Sequence, residues 1–182
     1  MTFPVPRRIV QSWLVVVAAF AVGLAVLDRL PPMIAGTPHG IRVYATVADA
    51  ERALGARLWL PAYYPDTLAW PPARIDAWPG PPSMVALHVN ARSDGRERLI
   101  LVQSLGSPAG PPDVLLASAD TLTSTDVLVR GRPAVVTRVV VPGGEVVHDV
   151  HWDQGGRRVT LRYHGPVEEL LLIAASMART QS

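Results

Sequence analysis

The chain has 182 residues, a formal net charge of +2 and 49% hydrophobic residues, so it is neither a disordered segment nor a strongly basic polymer binder. Its basic side chains other than His are all Arg, scattered singly among acids rather than gathered on one face, which argues against nucleic acid as a partner. There is no cysteine, which excludes a disulfide framework, a thiolate zinc site, a cysteine nucleophile and a lipid-modified N-terminal cysteine.

Residues 9–27 carry no charge. As a helix rising about 1.5 Å per residue they would cover roughly 28 Å, close to the ~30 Å hydrocarbon core of a bilayer. Trp13 lies near the start, where an interfacial aromatic is expected, and Pro31-Pro32 stop any continuing helix. Arg7 and Arg8 place the basic bias before the segment. The positive-inside rule then makes residues 1–8 a cytoplasmic tail, residues 9–27 one transmembrane helix, and the rest an extracytoplasmic part of a single-pass plasma-membrane protein. A cleaved signal peptide is the rival reading. Its apolar region would be longer than usual, and Met33 spoils the small-residue pair before Gly36.

Residues 28–45 read as a linker, with Pro31, Pro32, Gly36, Pro38 and Gly40. The folded domain is expected over residues 46–179, with 180–182 as a tail. Thr46 and Asp49 form a capping box for a short helix, and Gly55 is its expected stop. Residues 59–82 interleave seven prolines with Trp59, Tyr63, Tyr64, Trp70 and Trp78, which excludes a helix and any long central strand. An extended, stiff segment crossing or edging a sheet is expected there.

Strand patterns follow. Residues 84–90 and 98–104 flank a turn marked by Asp94-Gly95. Residues 105–113 form a Gly/Pro loop, and 114–128 are ambiguous. A meander then runs through 127–130, 134–141, 145–152 and 157–163, with turns at Gly131-Arg132-Pro133, Pro142-Gly143-Gly144 and Gly155-Gly156. Val159, Leu161 and Tyr163 alternate with Thr160, Arg162 and His164, the pattern of an antiparallel sheet with one buried face. Pro166, Glu168 and Glu169 open a helix predicted over 167–179, with Leu170, Ile173, Ala174 and Met177 toward the sheet. The predicted fold class is α+β, an antiparallel meander bracketed by a short N-terminal helix and a C-terminal helix.

The order Ala53-Leu54-Gly55, Trp59-Leu60-Pro61, Tyr64-Pro65, Gly131-Arg132-Pro133, His151-Trp152, Glu168-Glu169-Leu170 and Ile173-Ala174-Ala175-Ser176 resembles a bacterial extracytoplasmic domain of unknown function. Such domains sit at the outer end of single-span, anti-sigma-factor-like membrane proteins. The resemblance implies an α+β domain and an envelope location, and it brings no catalytic residues. With eight residues before Ile9 and no His/Cys cluster, the sequence departs from that arrangement, and direct anti-sigma activity is not expected.

No constellation meets the requirements of an enzyme. Ser107 lies in Gly-Ser-Pro-Ala-Gly without the strand–elbow–helix context of a nucleophile, and Glu168-Glu169 are adjacent on a helix, so they diverge. His151 and Asp153 share a strand face while His148 points the other way. Completing a metal site would need His88 or His164 from neighbouring strands, and no familiar ligand spacing is present. No metal and no cofactor is expected. The residues singled out for ligand binding are Trp59, Tyr63, Tyr64, Trp70 and Trp78, because aromatics on a rigid backbone lose little entropy on binding. The blander reading is that they close the core. The sequence therefore points to a non-enzymatic, membrane-anchored sensor or protein-interaction module with an envelope protein or lipid partner. The alternative is a lipid or lipoprotein carrier with an apolar cavity between sheet and helix.

Overall fold

The computed structural model describes residues 40–106, 110–111 and 115–179. The segment read as a membrane span lies outside them. No helix among the described residues is long and apolar enough to cross a membrane.

In chain order the elements are β1 (Arg42–Tyr44), α1 (Val47–Leu54), β2 (Trp59–Pro61), β3 (Arg74–Trp78), β4 (Ser83–Asn90), β5 (Glu97–Leu105), β6 (Asp120–Val129), β7 (Arg132–Val140), β8 (Val146–Gln154), β9 (Arg157–Tyr163), α2 (Val167–Ala175) and β10 (Met177–Arg179). Eight strands form one antiparallel sheet in the order β1-β3-β4-β5-β9-β8-β7-β6, and β2 pairs with β10 in a second, two-stranded sheet. The fold is thus mostly antiparallel β with two short helices, the α+β arrangement expected from the alternating patterns.

Local chemistry accounts for the elements. Thr46 caps α1 by accepting from the Asp49 N–H, and Gly55 ends it in the left-handed conformation at φ 62°. Glu51, buried on α1, accepts from the Leu58 N–H at 2.8 Å and pairs with Arg57 at 3.0 Å, which fixes the chain leaving the helix.

The predicted C-terminal helix is too long. It stops at Ala175, the N–H of Ser176 folds back to carbonyls of the last turn, and residues 177–179 become a strand on β2. Helical spacing placed Met177 on the apolar face. As a strand residue it is still buried, so burial alone did not distinguish the two. Residues 42–44, inside the stretch read as a linker, form the edge strand β1.

Successive side chains on a strand point to opposite faces, so the pairings divide the sheet into an inner and an outer face. The inner face carries Ile75, Leu87, Leu101, Val150, Val159 and Leu161. It is closed by Leu170, Ile173 and Ala174 of α2, Ala50 of α1, and Leu58 and Leu68. Gln103 ties the small sheet to the large one: its Nε2 donates to the Trp59 carbonyl at 2.6 Å and its Oε1 accepts from the Trp59 N–H at 2.8 Å.

The outer face is covered only in part. Met84, Ala86, Ile100 and Val102 of β4 and β5 lie under Ile41, Leu115 and Leu116, with Trp78 alongside. The Leu115–Leu116 plug is held by Arg162, whose Nη1 donates to the Ala117 carbonyl at 2.7 Å while Nε and Nη2 make a bidentate bridge to Asp149 at 2.9 and 2.8 Å. Near the β3 edge, Arg74 pairs with Asp76 at 2.6 Å, and His88 contacts Glu97 through Nδ1 and Asp76 through Nε2 at 3.4 Å. The latter is an ionic contact, longer than a good hydrogen bond.

Burial alone pulls the pKa of His88 down, but the Asp76 and Glu97 carboxylates outweigh it and hold it up to about 9. A histidine whose folded pKa lies above its unfolded value near 6.5 stabilises the fold fully below pH 6.5 and loses that contribution as pH rises through 9. A loss on the order of 2 kcal/mol is expected between pH 6.5 and 9.5. Urea midpoints across that window should fall for the natural chain and stay nearly flat for His88→Gln. Parallel slopes would show that His88 does not carry the dependence.

Candidate functional site

The five aromatics do not line one groove. Trp59 and Tyr64 are half-buried against the inner core, and Trp70 stacks on Tyr64 with ring centroids 4.5 Å apart and a 31° tilt. The Tyr64 hydroxyl is buried with no hydrogen-bond partner among the described residues, and burial pushes its pKa up. Tyr63 and Trp70 are 41% and 39% exposed at the surface of this cluster. Trp78 belongs elsewhere: it lies on the outer face of β3 against the Ile41–Met84 cluster, so it is parted from the other four by the sheet. Within the Pro/aromatic segment Trp59 and Tyr64 pack against the core, and Tyr63 and Trp70 are its exposed aromatics.

The histidines also disperse. His148 faces inward and contacts the Gly165 carbonyl at 3.2 Å, His164 pairs with Glu145 at 3.0 Å, and His88 belongs to the Asp76–Glu97 network. Among the described residues no three His, Asp or Glu side chains gather as a metal site would require.

A concavity lies where none of the described residues covers the outer face, beside the β6–β7 and β8–β9 turns. It is an open trough of about 1050 Å³. The register brings its walls together: Leu128 lies opposite Pro133, Asp126 opposite Val135, Val135 opposite His151, and Asp153 opposite Arg158. Leu128 is 71% exposed. Arg158 and Asp153 neutralise each other through a two-pronged bridge at 2.9 and 3.2 Å. Burial, and then the positive charge of Arg158, hold His151 below its usual pKa, so it presents a neutral imidazole at pH 7. The trough thus offers apolar contacts from Leu128, Pro133 and Val135, one neutral donor–acceptor ring, a satisfied ion pair and Asp126. Such a surface suits docking of a protein partner, with an apolar centre and a polar rim. Among the described residues that line it, none is a nucleophile with an adjacent base.

Strand alternation already placed His151 with Asp153 on one face. The sequence did not indicate the trough around them, because that depends on the Leu115–Leu116 plug covering only the other half of the sheet. Comparison of the chain with protein-family models, with curated proteins and with solved structures gives no match.

Proposed function

We propose that this chain is a membrane-anchored extracytoplasmic interaction module, non-enzymatic, that docks an envelope protein on the bare half of its outer sheet face. Residues 9–27 are its anchor in this reading, on the strength of their uncharged length and the arginines before them. The observation that carries the docking site is the trough itself, a concave, partly apolar sheet surface that nothing among the described residues covers, while the adjoining half is plugged. An apolar centre with a polar rim is the composition of a protein-docking surface.

The carrier alternative needs a cavity between sheet and helix. That interior is filled by Leu87, Leu99, Leu101, Leu161, Leu170 and Ile173, all at 2% exposure or less, which leaves the alternative without support there.

A double substitution tests the reading. Val135→Glu with His151→Gln places an unpaired carboxylate beside Asp126 in the trough without touching an inner-face contact. Capture of the envelope partner by the full chain is expected to fall at least about tenfold, since interface-centre substitutions of this kind cost roughly 1.4 kcal/mol or more, with the unfolding midpoint changed by only a few degrees. Undiminished capture would remove the trough from the account.

A further inference from the structure

The large sheet ends on one side at β1, three residues long, and on the other at β6, ten residues long. β6 is exposed along nearly its whole length, with only Val127 and Val129 partly or fully buried. It contains no Pro, Lys or Arg; Asp120 and Asp126 are its charged residues, and one bulge near Leu122 interrupts it at its start.

The hairpin shows which of its backbone groups are free for a new strand. Val129 pairs with Arg132 across the two-residue turn Arg130-Gly131, whose φ values of 52° and 76° are those of a type I′ turn. The pair closing such a turn exchanges both backbone hydrogen bonds, and bonded pairs alternate along the ladder. Val129, Val127 and Thr125 therefore bond to β7, while Leu128, Asp126 and Ser124 aim their N–H and C=O away from it. Pro133, opposite Leu128, fits this phase because its missing N–H falls where none is required.

β6 is complementary to itself in one register. Antiparallel pairing about Thr125 sets Leu122 opposite Leu128 of a second copy, Thr123 opposite Val127 and Ser124 opposite Asp126. Leu122 and Leu128 are the two exposed leucines of the strand, at 50% and 71%. Apolar meets apolar and hydroxyl meets carboxylate, and no like charges are opposed. Centring on Asp126 would set that carboxylate opposite itself, and centring on Ser124 would set Leu128 opposite Asp120, so neighbouring registers are disfavoured.

We propose that two copies of this chain join through antiparallel pairing of their β6 edges, centred on Thr125, into one continuous sheet. A two-fold axis normal to the sheet keeps both outer faces on the same side. The seam then runs between the two troughs, each of which has Asp126 and Leu128 as its wall on that side.

The absence of cysteine makes the test direct. Thr125 would meet its own copy at a non-hydrogen-bonded position, with Cα atoms about 4.5 Å apart, inside disulfide range. Thr125→Cys in the full chain, treated with a mild oxidant, is expected to give a disulfide dimer at least about tenfold more abundant than Ala53→Cys on α1, at the other end of the sheet. Adding Ser124→Pro removes an outward N–H while leaving the β7 ladder intact and should abolish that dimer. A charge swap guards against misfolding of the proline variant. Ser124→Asp, which faces the second copy's Asp126, should cut the cross-link several-fold, and Asp126→Lys added to it should restore it. Cross-linking of Thr125→Cys no better than Ala53→Cys, persistence of the dimer with Ser124→Pro, no loss with Ser124→Asp, or stronger self-cross-linking of Leu128→Cys would overturn the proposal. Partner capture through Val135 and His151 is read separately, so either idea can fail alone.

Discussion

Replacing Arg162 by Met is expected to cost about 3–5 kcal/mol of stability, the largest effect of any substitution considered. Arg162 and Asp149 are 4% and 8% exposed and bridge each other through two short bonds. Removing the guanidinium leaves a carboxylate in a site from which water is largely excluded, and it also frees the Ala117 carbonyl that anchors the plug. The loss is therefore expected in two readouts: a lower urea midpoint, and faster hydrogen exchange around Leu115 and Leu116. Arg162→Met combined with Asp149→Leu should recover most of the midpoint, because a buried pair replaced whole by apolar groups of similar size is often neutral. A single substitution costing under about 1 kcal/mol would mean that Asp149 is solvated, contrary to its geometry here.

Gln103→Leu is the second large effect, expected at about 2–4 kcal/mol. Gln103 is fully buried and spends both ends of its amide on the backbone of Trp59. Leucine fills a similar volume but can neither donate nor accept, so two buried hydrogen bonds are lost together. Because those bonds join the two sheets, amides of residues 59–61 and 177–179 should lose protection before the large sheet does. Uniform loss of protection would instead place Gln103 in the global unfolding unit.

How much of this was legible in sequence follows from which interactions are local. The α1 cap, its Gly55 stop and the β8–β9 meander depend on neighbours a few residues apart, and residue type announced them. β10 was missed because Met177 fits helical spacing as well as a strand, and only the presence of β2 across from it settles which. β1 is too short for a period to show. β6 was ambiguous for a related reason: an edge strand exposed on both faces has no apolar alternation to read, and its Thr and Ser residues fit a loop equally well.

The aromatic candidates show the same limit at the site. Their Pro-rich setting suggested one extended path, whereas the stretch holds two short strands, β2 and β3, joined through a turn at Pro65–Leu68; alternation along β3 puts Trp78 and its neighbour Ala77 on opposite faces, and that separates Trp78 from Tyr64 and Trp70. The trough residues gave no signal of their own. Leu128, Pro133, Val135 and Arg158 are ordinary strand residues until the sheet aligns them and the plug leaves them bare.

The central claim is that the bare outer face, rather than the sheet–helix interior or the Trp70 surface, meets the partner. A photoreactive amino acid placed in turn at Val135, His151, Trp70 and Ala53 of the full chain, in its native cells, tests it most directly. The account predicts a discrete protein adduct, of mass distinct from a second copy of the chain, from positions 135 and 151 but not from 70 or 53. Adducts from position 70 alone, or lipid adducts in place of protein, would contradict it.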